Sequence, residues 1–135
     1  MKIARPLQII AMIAGLVAVS LGLGTYTHAD FANIHMLFGL IVAIVLLILA
    51  ALAVFSRGLK RMGAIGIIYA LIVPAFGVTQ QMILVGDAHW LIEAAHLLVG
   101  FGALALIGTL SARLMRRKQA DLAVSKEAIQ AQLVR

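Results

Sequence analysis

The chain has 135 residues, of which 64% are hydrophobic and 12% charged, and its formal net charge is +6. Soluble domains average about 25% charged residues, so this composition excludes an ordinary soluble fold and indicates a membrane protein. The basic residues cluster beside apolar segments, which argues against a nucleic-acid-binding surface. The absence of cysteine excludes disulfides, thiolate metal sites and haem attachment through a C-x-x-C-H motif.

Four apolar segments follow one another along the chain, at about residues 6–24, 32–55, 62–84 and 90–111. Each is close to the roughly 20 residues that an α-helix needs to cross a bilayer core. Long apolar runs without alternation are not typical of a membrane β-barrel. We therefore predict an all-α fold: a membrane four-helix bundle with antiparallel neighbours over residues 1–112, followed by a tail over 113–135.

The first segment also has features of a secretory signal peptide, because Lys2 and Arg5 precede it. Its apolar stretch of about 19 residues is longer than the usual 7–15 of such a signal. We therefore expect it to remain as the first membrane helix.

All eleven lysines and arginines fall on one side of the membrane when the four segments are taken as spans. They precede the first segment, lie between the second and third, or follow the fourth: Lys2, Arg5, Arg57, Lys60, Arg61, Arg113, Arg116, Arg117, Lys118, Lys126 and Arg135. The positive-inside rule then predicts a multi-pass protein of a bacterial-type inner membrane, with both termini in the cytoplasm.

The tail begins with the basic stretch RLMRRK, which can contact anionic lipid head groups. Leu122, Ile129 and Leu133 then recur at helix-compatible spacings. The tail is therefore either a short amphipathic surface helix or a frayed cytoplasmic segment.

A shift of 61 residues superposes two histidine-containing stretches, HADFANIHMLFG at 28–39 and HWLIEAAHLLVG at 89–100. Each half of the chain is then an outward helix followed by an inward one. This predicts two helix hairpins related by a pseudo-two-fold axis along the membrane normal. The shift pairs His28 with His89, His35 with His96, and Gly39 with Gly100. His35 and His96 are thus expected at equal depth, roughly 6–9 Å from the outer helix ends.

Two histidines at one depth favour a shared ligand, because ionisable groups inside a span are costly and usually functional. A single histidine can instead simply bridge two helices. Haem b takes two axial imidazoles on opposite sides of its plane, and we predict one haem b with His35 and His96 as the ligands of its iron.

Small residues near this depth would leave room for the macrocycle. Gly39 and Gly100 follow the predicted ligands by one helical turn, and the first and third segments contain SLGLGT (20–25) and PAFGVT (74–79). Close helix packing alone also selects small residues, so the glycines support haem only together with the histidines.

His28 and His89 are one heptad outward of the predicted ligands, about 10.5 Å along a helix. They either bind a second haem, hold the propionates of the first one at the water boundary, or are plain interfacial residues. We favour contact with the propionates, because irons about 10 Å apart would crowd two macrocycles. The outer face also has no lysine or arginine to serve instead.

Acidic residues on the same face keep a divalent-metal or proton carrier open as an alternative. Asp30, Asp87 and Glu93 accompany the histidines, and Glu93 shares one stripe of the fourth segment with His89 and His96. Imidazole with carboxylate suits zinc, copper or iron. Glu93 can equally orient an imidazole through a hydrogen bond or carry protons.

The histidines on the second and fourth segments, together with Glu93-Ala94-Ala95-His96, resemble one half of haem A synthase and, more broadly, small four-helix b-type membrane cytochromes. The resemblance covers about residues 6–111 and implies bis-histidine haem ligation by His35 and His96. In the synthase the ligand histidine is commonly followed by arginine, whereas Met36 and Leu97 stand here. The cysteine pair of many synthases is absent, and Asn33-Ile34-His35 replaces the acidic motif on the second segment. The hydroxylating activity therefore does not follow.

These patterns together predict a membrane cytochrome that transfers electrons, with quinone or a larger redox complex as its partner. A homodimer or a subunit of such a complex is expected. The alternatives are a half-size haem-modifying oxidoreductase, resembling haem A synthase, and the metal or proton carrier. Two axial histidines leave no open position on the iron, which argues against oxygen binding.

Overall fold

The computed structural model describes residues 3–25 and 31–133, without the side chain of Thr25, and these residues form helices and no strands. The helices are α1 (Ala4–Thr25), α2 (Ala32–Val54), α3 (Lys60–Thr79), a short 3₁₀ turn (Gln80–Met82) and α4 (His89–Leu133). Each of the four α-helices is long and apolar enough to cross a membrane. The prediction of an all-α fold is therefore confirmed for this part of the chain, as are four helices long and apolar enough to span a membrane.

Helix α4 is much longer than the predicted fourth segment. It runs for 45 residues and passes the boundary predicted at residue 112 without a break. At 1.5 Å per residue its length is about 67 Å, roughly twice the 30 Å of a hydrocarbon core. The tail, as far as Leu133, is thus a continuation of α4.

The buried core occupies one half of the bundle, the half that ends at the turn between α2 and α3. We call this end the basic end, after Arg57, Lys60 and Arg61 in that turn and the first residues of α3. Small residues let the helices approach closely here: a Cβ added to Gly63 would lie 2.5 Å from the backbone nitrogen of Val54. The core includes Ala11, Ala14, Leu46, Leu49, Ala50, Ala53, Ala70, Ala103, Ile107 and Leu110.

Contacts between distant parts of the chain hold the basic end together. The Ser111 hydroxyl of α4 donates a hydrogen bond to the Ala4 carbonyl of α1 at 3.5 Å. The Arg117 guanidinium lies against Gly58 in the turn between α2 and α3. The start of α1, this turn and α4 near residues 111–117 therefore share one end of the bundle.

The opposite end, which we call the histidine end after His35, His89 and His96, has a different character. None of the described residues in 19–24, 32–41 and 71–102 is buried. The buried residues of α2 begin only at Val42, and those of α4 only at Ala103. The bundle is thus well packed at its basic end and loosely packed where these histidines lie.

Candidate functional site

The structure brings His35 and His96 together at the histidine end. His35 lies in the first turn of α2 and His96 lies about two turns into α4. Their ring centroids are 5.8 Å apart and the ring planes are inclined at 54°. Two imidazoles on one metal each have a nitrogen about 2.0–2.1 Å from it, which separates the ring centroids by about 6 Å. The observed separation agrees with a single shared metal ion and also lies within the range of direct ring–ring contact.

A backbone hydrogen bond orients the His35 ring. Its Nδ1 donates to the Ala18 carbonyl of α1 at 2.8 Å. Because a carbonyl can only accept, Nδ1 must carry the proton, and the lone pair of the neutral ring is then on Nε2. Such a bond fixes both the tautomer and the direction of a metal-binding histidine. Gly22 permits the approach of α1, since a Cβ there would lie 3.1 Å from the His35 Cε1 atom.

His96 packs against α3 as His35 packs against α1, but the two rings differ in hydrogen bonding. A Cβ added to Gly77 would lie 3.4 Å from the His96 Cε1 atom, and the Phe76 ring centroid is 5.9 Å from that of His96. The His96 Nδ1 atom is buried and has no hydrogen-bond partner among the described residues. His35 is thus held by a hydrogen bond, whereas His96 is held by ring packing.

A sequence difference in α3 accompanies this asymmetry. The acceptor Ala18 precedes Gly22 by four residues, and the residue four before Gly77 is Val73. Pro74 follows Val73 directly within α3. A proline inside a helix removes one hydrogen bond of the ladder and displaces the carbonyls near it. Pro74 has no N–H to donate to the Ala70 carbonyl, so the hydrogen-bond ladder of α3 lacks one bond at this level.

Gly39 and Gly100 face open space. A Cβ at either position would meet no atom within 4 Å, unlike those at Gly63 and Gly66, which would meet backbone or side-chain atoms within 3 Å. Each follows its histidine by four residues and so shares its helix face. The space beside the histidine pair is consequently not filled by protein atoms at these two positions.

The remaining predicted site residues are separate from the pair or cannot be placed. His89 begins α4, where its Nδ1 donates to the Ile83 carbonyl at 3.2 Å. Asp87 and Glu93 are exposed. His28 and Asp30 lie outside the described residues. Within the described part of the chain, no three or more His, Cys, Asp or Glu residues are grouped as metal ligands, and nothing there favours the metal carrier.

Sequence reasoning missed two parts of this site. The Ala18 carbonyl is a backbone acceptor, and no side chain marks it in the sequence. Gly22 and Gly77 occupy equivalent positions, each beside one histidine of the pair. A shift of 61 residues aligns the histidines but not these glycines, which are 55 residues apart, so their equivalence was missed. The spacing from Gly77 to His96 is six residues longer than that from Gly22 to His35, so a search with two shifts would have found both pairs.

The donor set fits haem better than a hydrated metal ion. Two imidazoles with centroids 5.8 Å apart could hold a haem iron, and a Cβ at Gly39 or Gly100, one turn along the same helices, would meet no protein atom within 4 Å. A bare zinc ion would need three or four protein ligands. Among the described residues, the Nδ1 atom of His96 is buried without a hydrogen-bond partner, which by itself identifies no ligand.

Comparison with known proteins finds no matching family model, no matching curated protein and no matching solved structure. The resemblance to haem A synthase and to b-type cytochromes therefore stays a prediction from the histidine motifs.

Proposed function

We propose that this chain is a b-type membrane cytochrome that binds one haem b between α2 and α4 and transfers electrons. His35 and His96 serve as the axial ligands of the haem iron. The observation that carries the proposal is the 5.8 Å separation of their ring centroids within otherwise apolar helices. Bound haem supplies a one-electron redox couple, while the chain positions it and limits its access to water.

Three further observations support this assignment. The bond from His35 to Ala18 presents one imidazole in a defined tautomer. Gly39 and Gly100 leave space beside both ligands. The histidine end has no buried residues in α2 before Val42 or in α4 before Ala103, so a large apolar group can bind there without displacing a packed core.

We propose that the histidine end faces the periplasm and the basic end faces the cytoplasm. The contact of Ser111 with Ala4 and that of Arg117 with Gly58 support one common end for the basic segments. The positive-inside rule then assigns this end to the cytoplasm, with two hairpins related by a pseudo-two-fold axis. His89, and with it His28, then lies at the outer water boundary, where each can contact a haem propionate.

Electrons would pass between this haem and quinone or a partner redox complex. Many large apolar side chains are exposed along the helices, for example Leu16, Leu71 and Leu98, which are 69%, 60% and 71% exposed. Lipid covers such side chains in a membrane, and so does another membrane subunit. A homodimer or a subunit of a larger assembly is therefore part of the proposal.

The test is the absorption spectrum of the purified full-length protein, oxidised and reduced. We expect the α-band of six-coordinate haem b and one haem per chain by pyridine haemochrome. Because both axial ligands are needed, His35→Ala and His96→Ala should each abolish this band. A colourless protein that binds no added haem would contradict the proposal.

His89→Ala is the matched control, since it removes an imidazole from the same helix as His96 but outside the pair. We expect it to retain the six-coordinate spectrum. Two haems per chain would assign His89 to a second haem, and loss of haem in this variant would contradict its place outside the ligand pair. Conversion of the bound haem to haem A in a reconstituted assay would instead favour the haem-modifying enzyme.

A further inference from the structure

A second candidate site lies at the basic end of the bundle, remote from the histidines. An open surface cavity of about 280 Å³ is lined by the exposed residues Gly58, Lys60 and Arg61. One water molecule accounts for about 30 Å³ of liquid volume, so the cavity is large enough for a phosphate group with its neighbouring atoms. The site therefore has room for a ligand much larger than a solvent molecule.

Cations from two distant parts of the chain meet at this cavity. Lys60 and Arg61 belong to the start of α3, and the Arg117 guanidinium of α4 lies against Gly58, which lines the cavity. Gly58 adopts a left-handed conformation, with φ of +76°, and a Cβ there would collide with Arg117. Glycine thus allows the guanidinium to approach the turn that carries the other two cations.

No acidic residue lies close to Lys60 or Arg61 in the sequence. The five acidic residues are Asp30, Asp87, Glu93, Asp121 and Glu127. The α2–α3 turn and α3 therefore contain none, and the nearest on α4 is Asp121, one turn beyond Arg117 and exposed. Like charges that are held together repel one another unless an anion lies between them. Among the described residues, the α2–α3 turn and α3 offer no such anion at the cavity.

We propose that this cavity binds the phosphate of an anionic phospholipid at the basic end of the membrane bundle. Lys60 and Arg61 contact the phosphate, and Arg117, which lies against Gly58, adds a third positive charge beside it. Anionic lipids are concentrated in the cytoplasmic leaflet, and basic pockets between membrane helices on that side recognise their head groups. The lipid would join α4 to the α2–α3 turn and so stabilise the start of the long extension of α4.

The experiment measures the thermal midpoint of the full-length protein in detergent while lipid is added. Dioleoyl phosphatidylglycerol should raise the midpoint in a saturable way, whereas dioleoyl phosphatidylcholine and inorganic phosphate should not. Equal stabilisation by inorganic phosphate would identify a free-anion site and overturn the lipid proposal. No difference between the two lipids would also overturn it.

Two double variants separate a specific site from general attraction. Lys60→Gln with Arg61→Gln removes two cavity cations, and Arg113→Gln with Arg116→Gln removes two exposed cations from the same end. The first pair should raise the half-saturating phosphatidylglycerol concentration at least about tenfold and the second less than about threefold. Equal shifts of this concentration in the two double variants would show that phosphatidylglycerol is attracted non-specifically by the positive charge of this end.

Gly58→Ala tests the geometry at constant charge. The added Cβ displaces Arg117, so this variant should also need at least about tenfold more phosphatidylglycerol, although the net charge is unchanged. The thermal midpoint of this variant without lipid measures separately how much the substitution destabilises the fold. Unchanged lipid affinity in Gly58→Ala would contradict the role of Arg117 over the cavity.

Discussion

His35 and His96 show how the same residue type is held differently in the two halves of the chain. The Nδ1 atom of His35 donates to Ala18, whereas that of His96 is buried without a partner in the described residues. An unsatisfied buried polar atom costs about 1–3 kcal/mol, so His96 is the member of the pair whose environment is incomplete. The orientation of His35 is set by a hydrogen bond to Ala18, while that of His96 is set by packing against Gly77 and Phe76.

The glycines that follow the two histidines provide a residue-scale test of the haem site. Gly39→Leu and Gly100→Leu place a side chain in space that contains no protein atom within 4 Å of the Cβ. We expect each variant to fold as well as the parent without haem, because leucine favours a helix more than glycine does. Overfilling the haem space should cost about 1–3 kcal/mol of binding, or roughly 5- to 150-fold in haem affinity.

The measurement is a haem titration followed at the Soret band, with the thermal midpoint of the haem-free protein recorded in parallel. Gly102→Leu is the control for packing damage, because a Cβ there would meet the Tyr69 hydroxyl, which donates to the Val99 carbonyl at 3.1 Å. This control should lower the midpoint of the haem-free protein. Unchanged haem affinity in both Gly39→Leu and Gly100→Leu would contradict the assignment of that space.

At the scale of elements, hydropathy predicted four long apolar helices and the ends of α1 and α2, but not the C-terminal ends of α3 and α4. The predicted segments 6–24 and 32–55 agree with α1 and α2 to within two residues. The third was predicted to continue to residue 84, whereas α3 ends at Thr79 and is followed by a 3₁₀ turn. The apolar run Met82–Val85 looked helical, yet the chain reverses there with positive φ at Leu84 and Gly86.

Helix α4 shows the opposite error. The fourth segment was ended at residue 111 because charged residues begin there, but a charge boundary ends a membrane span and not a helix. Residues 109–133 contain no glycine or proline and are rich in alanine, leucine, lysine, arginine and glutamine. These residues favour the helical conformation, so α4 continues.

Close packing between α2 and α3 makes Gly63 sensitive to substitution. A Cβ at this position would lie 2.5 Å from the Val54 backbone nitrogen and 2.7 Å from the Ala50 carbonyl oxygen. Because backbone atoms cannot move aside cheaply, Gly63→Ala should lower the free energy of unfolding by about 1–3 kcal/mol. The change is measured by reversible denaturation in detergent micelles.

Gly108→Ala is the matched control in α4, since a Cβ there would meet only the Gln8 Nε2 atom, at 4.0 Å. We expect this control to be neutral or to stabilise by up to about 1 kcal/mol, through helix propensity. Equal destabilisation by Gly63→Ala and Gly108→Ala would contradict the prediction that close packing between α2 and α3 makes Gly63 sensitive to substitution.

At the scale of the whole molecule, the two halves of the bundle differ in packing, with buried residues at the basic end and none in the described residues 32–41 and 71–102. The pairing of His35 with His96 could be predicted, because an internal repeat and a count of residues set the depth of each histidine. The loose packing around them could not, since Leu37 and Leu98 are as apolar as the residues of the core. Which apolar side chains face one another depends on helix rotation, and helices that are apolar all round give little sign of it.

The single tryptophan tests haem binding at the histidine end, because Trp90 lies there, six residues or about 9 Å along α4 from His96. Haem absorbs where tryptophan emits, so haem bound between His35 and His96 should quench most of the Trp90 fluorescence. At a free haem concentration of 100 times Kd, it should also stabilise the fold by about 2.7 kcal/mol. Fluorescence and the thermal midpoint are followed in one haem titration, with His96→Ala as the control that should show neither effect at the same concentration. Quenching without stabilisation, or equal quenching in His96→Ala, would mean that haem associates with the apolar surface and not with the histidine pair.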